Sequence, residues 1–164
     1  MGQRGFYLVA ALVLALDIAT KQIVYRNLVL GGPPVEVVGD WLRWTYIHNA
    51  GAAFGLFQGN RIVFLVVSIL SAIVILGLAN HREYRRPWTL FALALILGGA
   101  LGNLLDRIWL GVVIDFIDCG FREHRWPFFN IADSGISVGV VLLAIQLLRG
   151  SGEEATMVKG DEPS

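Results

Sequence analysis

Two acids stand where a chain this apolar should not carry them. Asp115 lies in the run Val112-Val113-Ile114-Asp115-Phe116-Ile117. Asp133 lies in Phe129-Asn130-Ile131-Ala132-Asp133-Ser134, at the head of a long apolar stretch. An ionisable side chain at membrane depth is costly and marks a functional site by default. Two carboxyl groups sharing a site do not both ionise readily, so one keeps a proton while the other carries charge. Such a pair suits one chemistry above others, in which a water held between the acids attacks a carbonyl. A metal is not expected, because zinc takes three or four N, S or O ligands and no such cluster is visible. His48 and His81 read as interfacial polar residues. Cys119 with His124 as its base is a nucleophilic alternative, but neither residue sits in a recognisable nucleophile setting.

The elements that must position these acids follow from composition. Hydrophobic residues make up 55% of the 164 residues and charged ones only 16%, against about 25% in a typical soluble domain. Four stretches, Phe6 to Val24, Ile62 to Ala79, Pro87 to Leu105 and Ile131 to Leu148, are long and apolar enough to cross a bilayer. Residues 1–149 therefore read as one transmembrane domain. A cleavable leader over the first stretch is disfavoured by Asp17 and Lys21 and by the lack of a small-residue cleavage site. Gly150 to Ser164 is short and polar and reads as a disordered cytoplasmic tail. Net charge is zero, and neither a basic stripe nor an RNA-binding signature points to nucleic acid.

The two longer connections, about 25–61 and 108–130, fall on one side of the membrane. Within the first, Gly31-Gly32-Pro33-Pro34 marks a turn. Val35 to Ile47 is rich in β-branched and aromatic residues and reads as short strands. Asp118 and Glu123 in the second read as solvated loop charges. The compact Arg82–Arg86 cluster favours cytoplasmic termini. A cysteine at Gln58 should then meet an impermeant reagent, while one in 81–86 should not. Ala94, Gly98 and Gly102 recur at four-residue spacing beside Gly99, which suits close helix packing.

Polar residues converge on the side of the long loops. Asp17 and Lys21 share one helix face and read as a structural pair. Asn103, Asp106 and Arg107 end the third span there, and Asn130 and Asp133 open the fourth. Asp115 lies between, and Asn49 with the small residues Gly51, Ala52 and Ala53 follows the first span. Asp133 as a plain helix-dipole residue would leave Asp115 unexplained. A proton relay or small transporter is the alternative class, but it would string acids along the membrane normal.

In order along the chain stand Asp17-x-x-x-Lys21, Asn49-x-Gly51-Ala52-Ala53-Phe54, Gly98-Gly99-x-x-Gly102-Asn103-x-x-Asp106-Arg107, Val113-Ile114-Asp115-Phe116 and Phe129-Asn130-x-Ala132-Asp133-Ser134. Together these blocks resemble lipoprotein signal peptidase, or signal peptidase II. The resemblance implies a four-helix membrane fold with a small extracytoplasmic β-cradle and a short loop helix. It implies an aspartyl endopeptidase of the bacterial inner membrane that needs no cofactor. Its partners would be diacylglyceryl-modified prolipoproteins, cut just before the lipidated lipobox cysteine, together with membrane lipids and globomycin-like inhibitors. Asp115 and Asp133 match the catalytic pair. Asn49, Gly51, Asn103, Asp106, Arg107, Asn130 and Ala132 match substrate-binding or orienting positions. Ile114 stands where the family often has Val.

Overall fold

The computed structural model describes residues 1–51 and 61–160. The small residues Ala52 and Ala53, Gln58 and the short helix expected over the site lie outside the described residues. Helix α1 spans Gln3–Asn27, α2 Arg61–Asn80, α3 Pro87–Trp109 and α4 Ile131–Gly160. All four contain a stretch long and apolar enough to cross a membrane, as the sequence predicts. Pro87 starts α3, where its missing N–H costs nothing and its fixed φ suits a first turn. Helix α4 runs on to Gly160, past Gly150, where a disordered tail is expected. An existing helix elongates at one hydrogen bond per residue fixed, and Glu153, Glu154, Ala155 and Met157 are all good helix formers.

α3 is the centre of the bundle. In its most apolar window 61% of residues are buried, against 22% for α1, 17% for α2 and 11% for α4. The other three helices therefore lean on α3 and turn apolar faces outward, such as Val66, Leu70 and Ile73 of α2. The inward stripe of α1 is Phe6, Ala10, Val13, Asp17, Lys21 and Val24. Its spacing runs in steps of three or four, so the charged pair continues the same face that packs the core. Close helix approach rests on glycine. A Cβ on Gly98 would lie 2.6 Å from the Ala10 carbonyl oxygen, and one on Gly102 would strike the Asp17 carboxylate. One on Gly99 would strike the Ala132 carbonyl, and one on Gly139 would lie 2.7 Å from that of Ala92. The small residues thus serve packing inside one bundle.

The β-cradle is a four-stranded antiparallel sheet in the order β1-β2-β3-β4, with β1 Val35–Val38, β2 Leu42–Asn49, β3 Val113–Phe121 and β4 His124–Arg125. The first two strands fall in the stretch read as strands. The longest, β3, comes from the second connection. Its run of Val, Ile and Phe is a strand signal, beyond the strands expected in the first connection. Pairing Asn49 with Val113 and Ile47 with Asp115 fastens the two long connections together at one end of the bundle. The opposite end is closed by Gln3, whose side-chain amide donates to the Ala79 carbonyl and the Asn80 side chain.

Candidate active site

Asp115 stands on β3 with both carboxylate oxygens engaged. Asn49 Nδ2 donates to Oδ2 at 2.8 Å, and Asn130 Nδ2 donates to Oδ1 at 2.8 Å. Asn49 is positioned by the β2–β3 register, and its own Oδ1 accepts the Gly51 N–H at 3.0 Å. Asn130 caps α4: its Oδ1 accepts the Asp133 N–H at 2.9 Å, and Asp133 Oδ2 accepts the Asn130 N–H at 3.2 Å. This reciprocal arrangement is an Asn/Asp form of the capping box. Asn103 of α3 donates Nδ2 to Asp133 Oδ1 at 2.7 Å. Asn130, fully buried, also donates to Asn103 Oδ1 at 3.2 Å. One carboxamide therefore touches Asp115, the cap of Asp133 and the partner of Asp133. A place in the first turn of α4 and a place in the polar cluster are not rival explanations of Asp133, because the cap is what aims it.

A second polar layer lies behind the first. Lys21 Nζ pairs with Asp17 Oδ2 at 2.7 Å and Asp106 Oδ2 at 2.8 Å, and donates to Asn103 Oδ1 at 3.1 Å. Asp17 Oδ1 accepts the Ala132 N–H at 2.9 Å. Asp106 Oδ2 accepts the Ile114 N–H at 3.1 Å, one residue before Asp115. The Asp17–Lys21 pair expected from the i,i+4 spacing is thus present and buried. It extends to α4 through Ala132 and to β3 through Asp106.

A cavity of about 590 Å³ opens over the acids. Asn49, Gly51, Asn103, Arg107, Asp115 and Asp133 line it, with Trp126 to Phe129 as one wall and Ile136 and Val138 as an apolar flank. Arg107 Nη1 donates to the Asn103 carbonyl at 3.1 Å, and its guanidinium lies 5.1 Å over the Phe64 ring. Asp106 and Ala132 do not line this cavity. Asp106 and Lys21 instead border a smaller 210 Å³ groove between α1 and α3. Burial pushes the Asp115 carboxyl up to about 7, and the negative charge of Asp133 pushes the same way. The amides of Asn49 and Asn130 and the charge of Lys21 pull it back. A carboxyl that holds its proton near neutrality, beside a second carboxyl in one cavity, is the arrangement of an acid–base pair.

A model of the family Signal peptidase (SPase) II, Peptidase A8, matches residues 9–149. The chain belongs to the signal peptidase II family. It is an aspartyl peptidase and a multi-pass membrane protein. A lipoprotein signal peptidase from Moorella thermoacetica is 44% identical over 91% of this chain and 96% of its own length. Two solved structures, each described as a bacterial membrane enzyme, are similar in fold to this chain. One, at 2.3 Å resolution, has a TM-score of 0.86 and 32% identity over 92% of both chains. The other, at 1.9 Å, has a TM-score of 0.79 and 34% identity over 89% of this chain and 94% of that one.

Asp118 differs from expectation. It is not a solvated loop charge but is 1% exposed, with a guanidinium on each side, Arg43 and Arg125. Isolated burial of a carboxylate is prohibitive, and paired burial is not. The alternation of β3 carries no hint of this, because the two arginines come from other strands. The Trp126–Phe129 wall was likewise not legible, since no periodicity marks it. Cys119 and His124 border an open groove beside the sheet rather than the cavity of the acids. His48 bonds the Tyr46 hydroxyl at 2.9 Å, and the exposed His81 ring lies tilted against that of Tyr84 at 5.9 Å.

Proposed function

We propose that this enzyme removes signal peptides from diacylglyceryl-modified prolipoproteins, cutting just before the lipidated cysteine, at the outer face of the bacterial inner membrane. One observation carries the reading: the buried Asp115 and the half-buried Asp133, joined through Asn130, converge on one cavity at the cradle end of a four-span bundle. A substrate helix enters sideways from the bilayer, and its acyl chains lie among apolar faces such as Ile136 and Val138. Asp115, with its affinity for a proton near neutrality, polarises the scissile carbonyl. Asp133, in the first turn of α4, takes the proton of the attacking water. In collapse of the tetrahedral intermediate the leaving amine receives a proton from the pair. Asn49, Asn103, Asn130 and Arg107 hold the acids or the substrate backbone, and Gly51 leaves room at the cavity edge. Asp106 and Ala132, set behind the cavity, serve by orienting β3 and the start of α4. Both termini face the cytoplasm.

A relay or transport role is the weaker reading, because the acids gather at one end instead of along the membrane normal. The test uses purified enzyme in detergent with a prolipoprotein in its diacylglyceryl and unlipidated forms. Buried acyl chains contribute up to about 0.8 kcal/mol per methylene, so the lipidated form should be cleaved far faster, and a globomycin-like lipopeptide should compete with it. Equal cleavage of the two forms would remove the lipoprotein reading and leave a general membrane protease.

A further inference from the structure

The polar cluster outside the site is built with more care than a surface needs. Arg125 of β4 donates Nε to Asp118 Oδ1 at 2.8 Å and Nη2 to the Asp118 carbonyl at 3.0 Å. Its Nη1 reaches the Asp40 carbonyl at 2.6 Å. Arg43 grips the other Asp118 oxygen at 2.8 Å and Asp40 Oδ1 at 3.1 Å. Two guanidinium forks thus lock β3, β4 and the β1–β2 turn around one buried carboxylate. A planar fork holds geometry as well as charge, which an ammonium does not.

The residue after Arg125 begins the cavity wall. Trp126 donates its N–H to the Cys119 carbonyl at 2.8 Å. At the other end, Phe129 N–H donates to the Ile117 carbonyl at 3.2 Å, and the Phe129 carbonyl accepts from Ile117 at 2.8 Å. Asn130, next in sequence, is the residue that joins the two acids. The strap is fastened to β3 at both ends. Its close approach also depends on Gly120, where a Cβ would lie 2.5 Å from the His124 carbonyl oxygen and 2.7 Å from Arg125 Cα.

We propose that Arg125, clamped by Asp118 and Asp40 and seated against Gly120, is a positioning residue that sets the Trp126–Phe129 wall and so the fit of substrate in the cavity. The kinetic part rests on the prolipoprotein reading; the structural part does not. Hydrogen exchange compares wild type with Arg125→Ala, Arg125→Lys and Gly120→Ala. Faster exchange at the Trp126 and Phe129 amides, with the α3 amides unchanged, is expected in all three variants. Cleavage of a lipidated prolipopeptide should then show a severalfold higher KM, with kcat within about twofold and an unshifted pH profile. Arg125→Lys should fail to rescue, because the fork and not the charge is the device. Unchanged strap exchange in the variants overturns the clamp. So does a wild-type KM, a kcat loss at unchanged KM, rescue by lysine, or a loss that tracks a lowered melting temperature. Failure of the wild type to cleave would instead sink the substrate assignment, and the exchange result would still decide the clamp.

Discussion

At the scale of single residues, Asn130 touches both Asp115 and Asp133, and the proposed mechanism makes the two acids one unit. Asp115→Asn and Asp133→Asn should each lower kcat by about 10²–10⁴ or more, the range of general acid–base contributions. The double variant should be little worse than either single one, since coupled groups do not add. A purified turnover assay checks both. Asp115 binds its proton at about 7 in the folded protein rather than at 3.8. The protonated form is the one the proposed mechanism needs, so kcat/KM, which reports the free enzyme, should fall as pH rises through about 7. Folding takes up a proton between these values, so this group's contribution to stability also declines as pH rises across that interval. A pH series of kcat/KM and melting at matched pH test the two statements. Lys21 serves two acids and Asn103. Lys21→Met strands the buried Asp17 and the part-buried Asp106 and should cost about 3–5 kcal/mol. Asp17→Ala leaves Lys21 paired with Asp106 and should cost less, the Ala132 N–H being the group it orphans. Thermal unfolding in detergent ranks them, and the reverse order would refute the shared role of Lys21.

At the scale of elements, the capping of α4 and the β2–β3 register do the aiming. Neither acid could be held by its own element alone: Asp115 needs Asn130 from the α4 cap, and Asp133 needs Asn103 from α3. The α1–α3 contact that brings Lys21 to Asn103 exists because Gly98 and Gly102 let backbones meet. Gly98→Ala would press a methyl onto the Ala10 carbonyl and should cost about 1–3 kcal/mol, as overpacking does. Gly77→Ala in α2 meets open space and should be neutral or slightly stabilising, since alanine is the better helix former. Melting of the two variants side by side is the check. The strands of the first connection were legible from β-branched and aromatic content. β3 was obscured because its central acid interrupts an apolar run that resembles membrane sequence.

At the scale of the whole molecule, the bundle has a polar end and a plain end. The cradle and the acids occupy one, and Gln3, Asn80 and the short 3-10 turn Arg82–Tyr84 occupy the other. With cytoplasmic termini, the cradle end faces outward. In a Cys119→Ser background, a cysteine at the exposed Glu123 should react with an impermeant thiol reagent in intact cells, and one at the exposed Arg85 should not. The opposite labelling would invert the topology and place the site in the cytoplasm.

The four spans are legible from sequence, because hydropathy is a local property that needs no partner. So is the sharing of one end by Asp17, Lys21, Asn49, Asn103, Asp115, Asn130 and Asp133, because helix count and loop order place them there. Tertiary structure alone decided which of them face the cavity. Asp106 and Ala132 sit in the same motifs as Arg107 and Asp133, yet stand behind the site, since helix rotation and the α1 ion pair turn them away. It also decided that Asp118 is buried rather than solvated. Whether a charge is sunk or exposed depends on counter-ions delivered by strand register, and register links residues 75 and 7 positions from Asp118 in the chain.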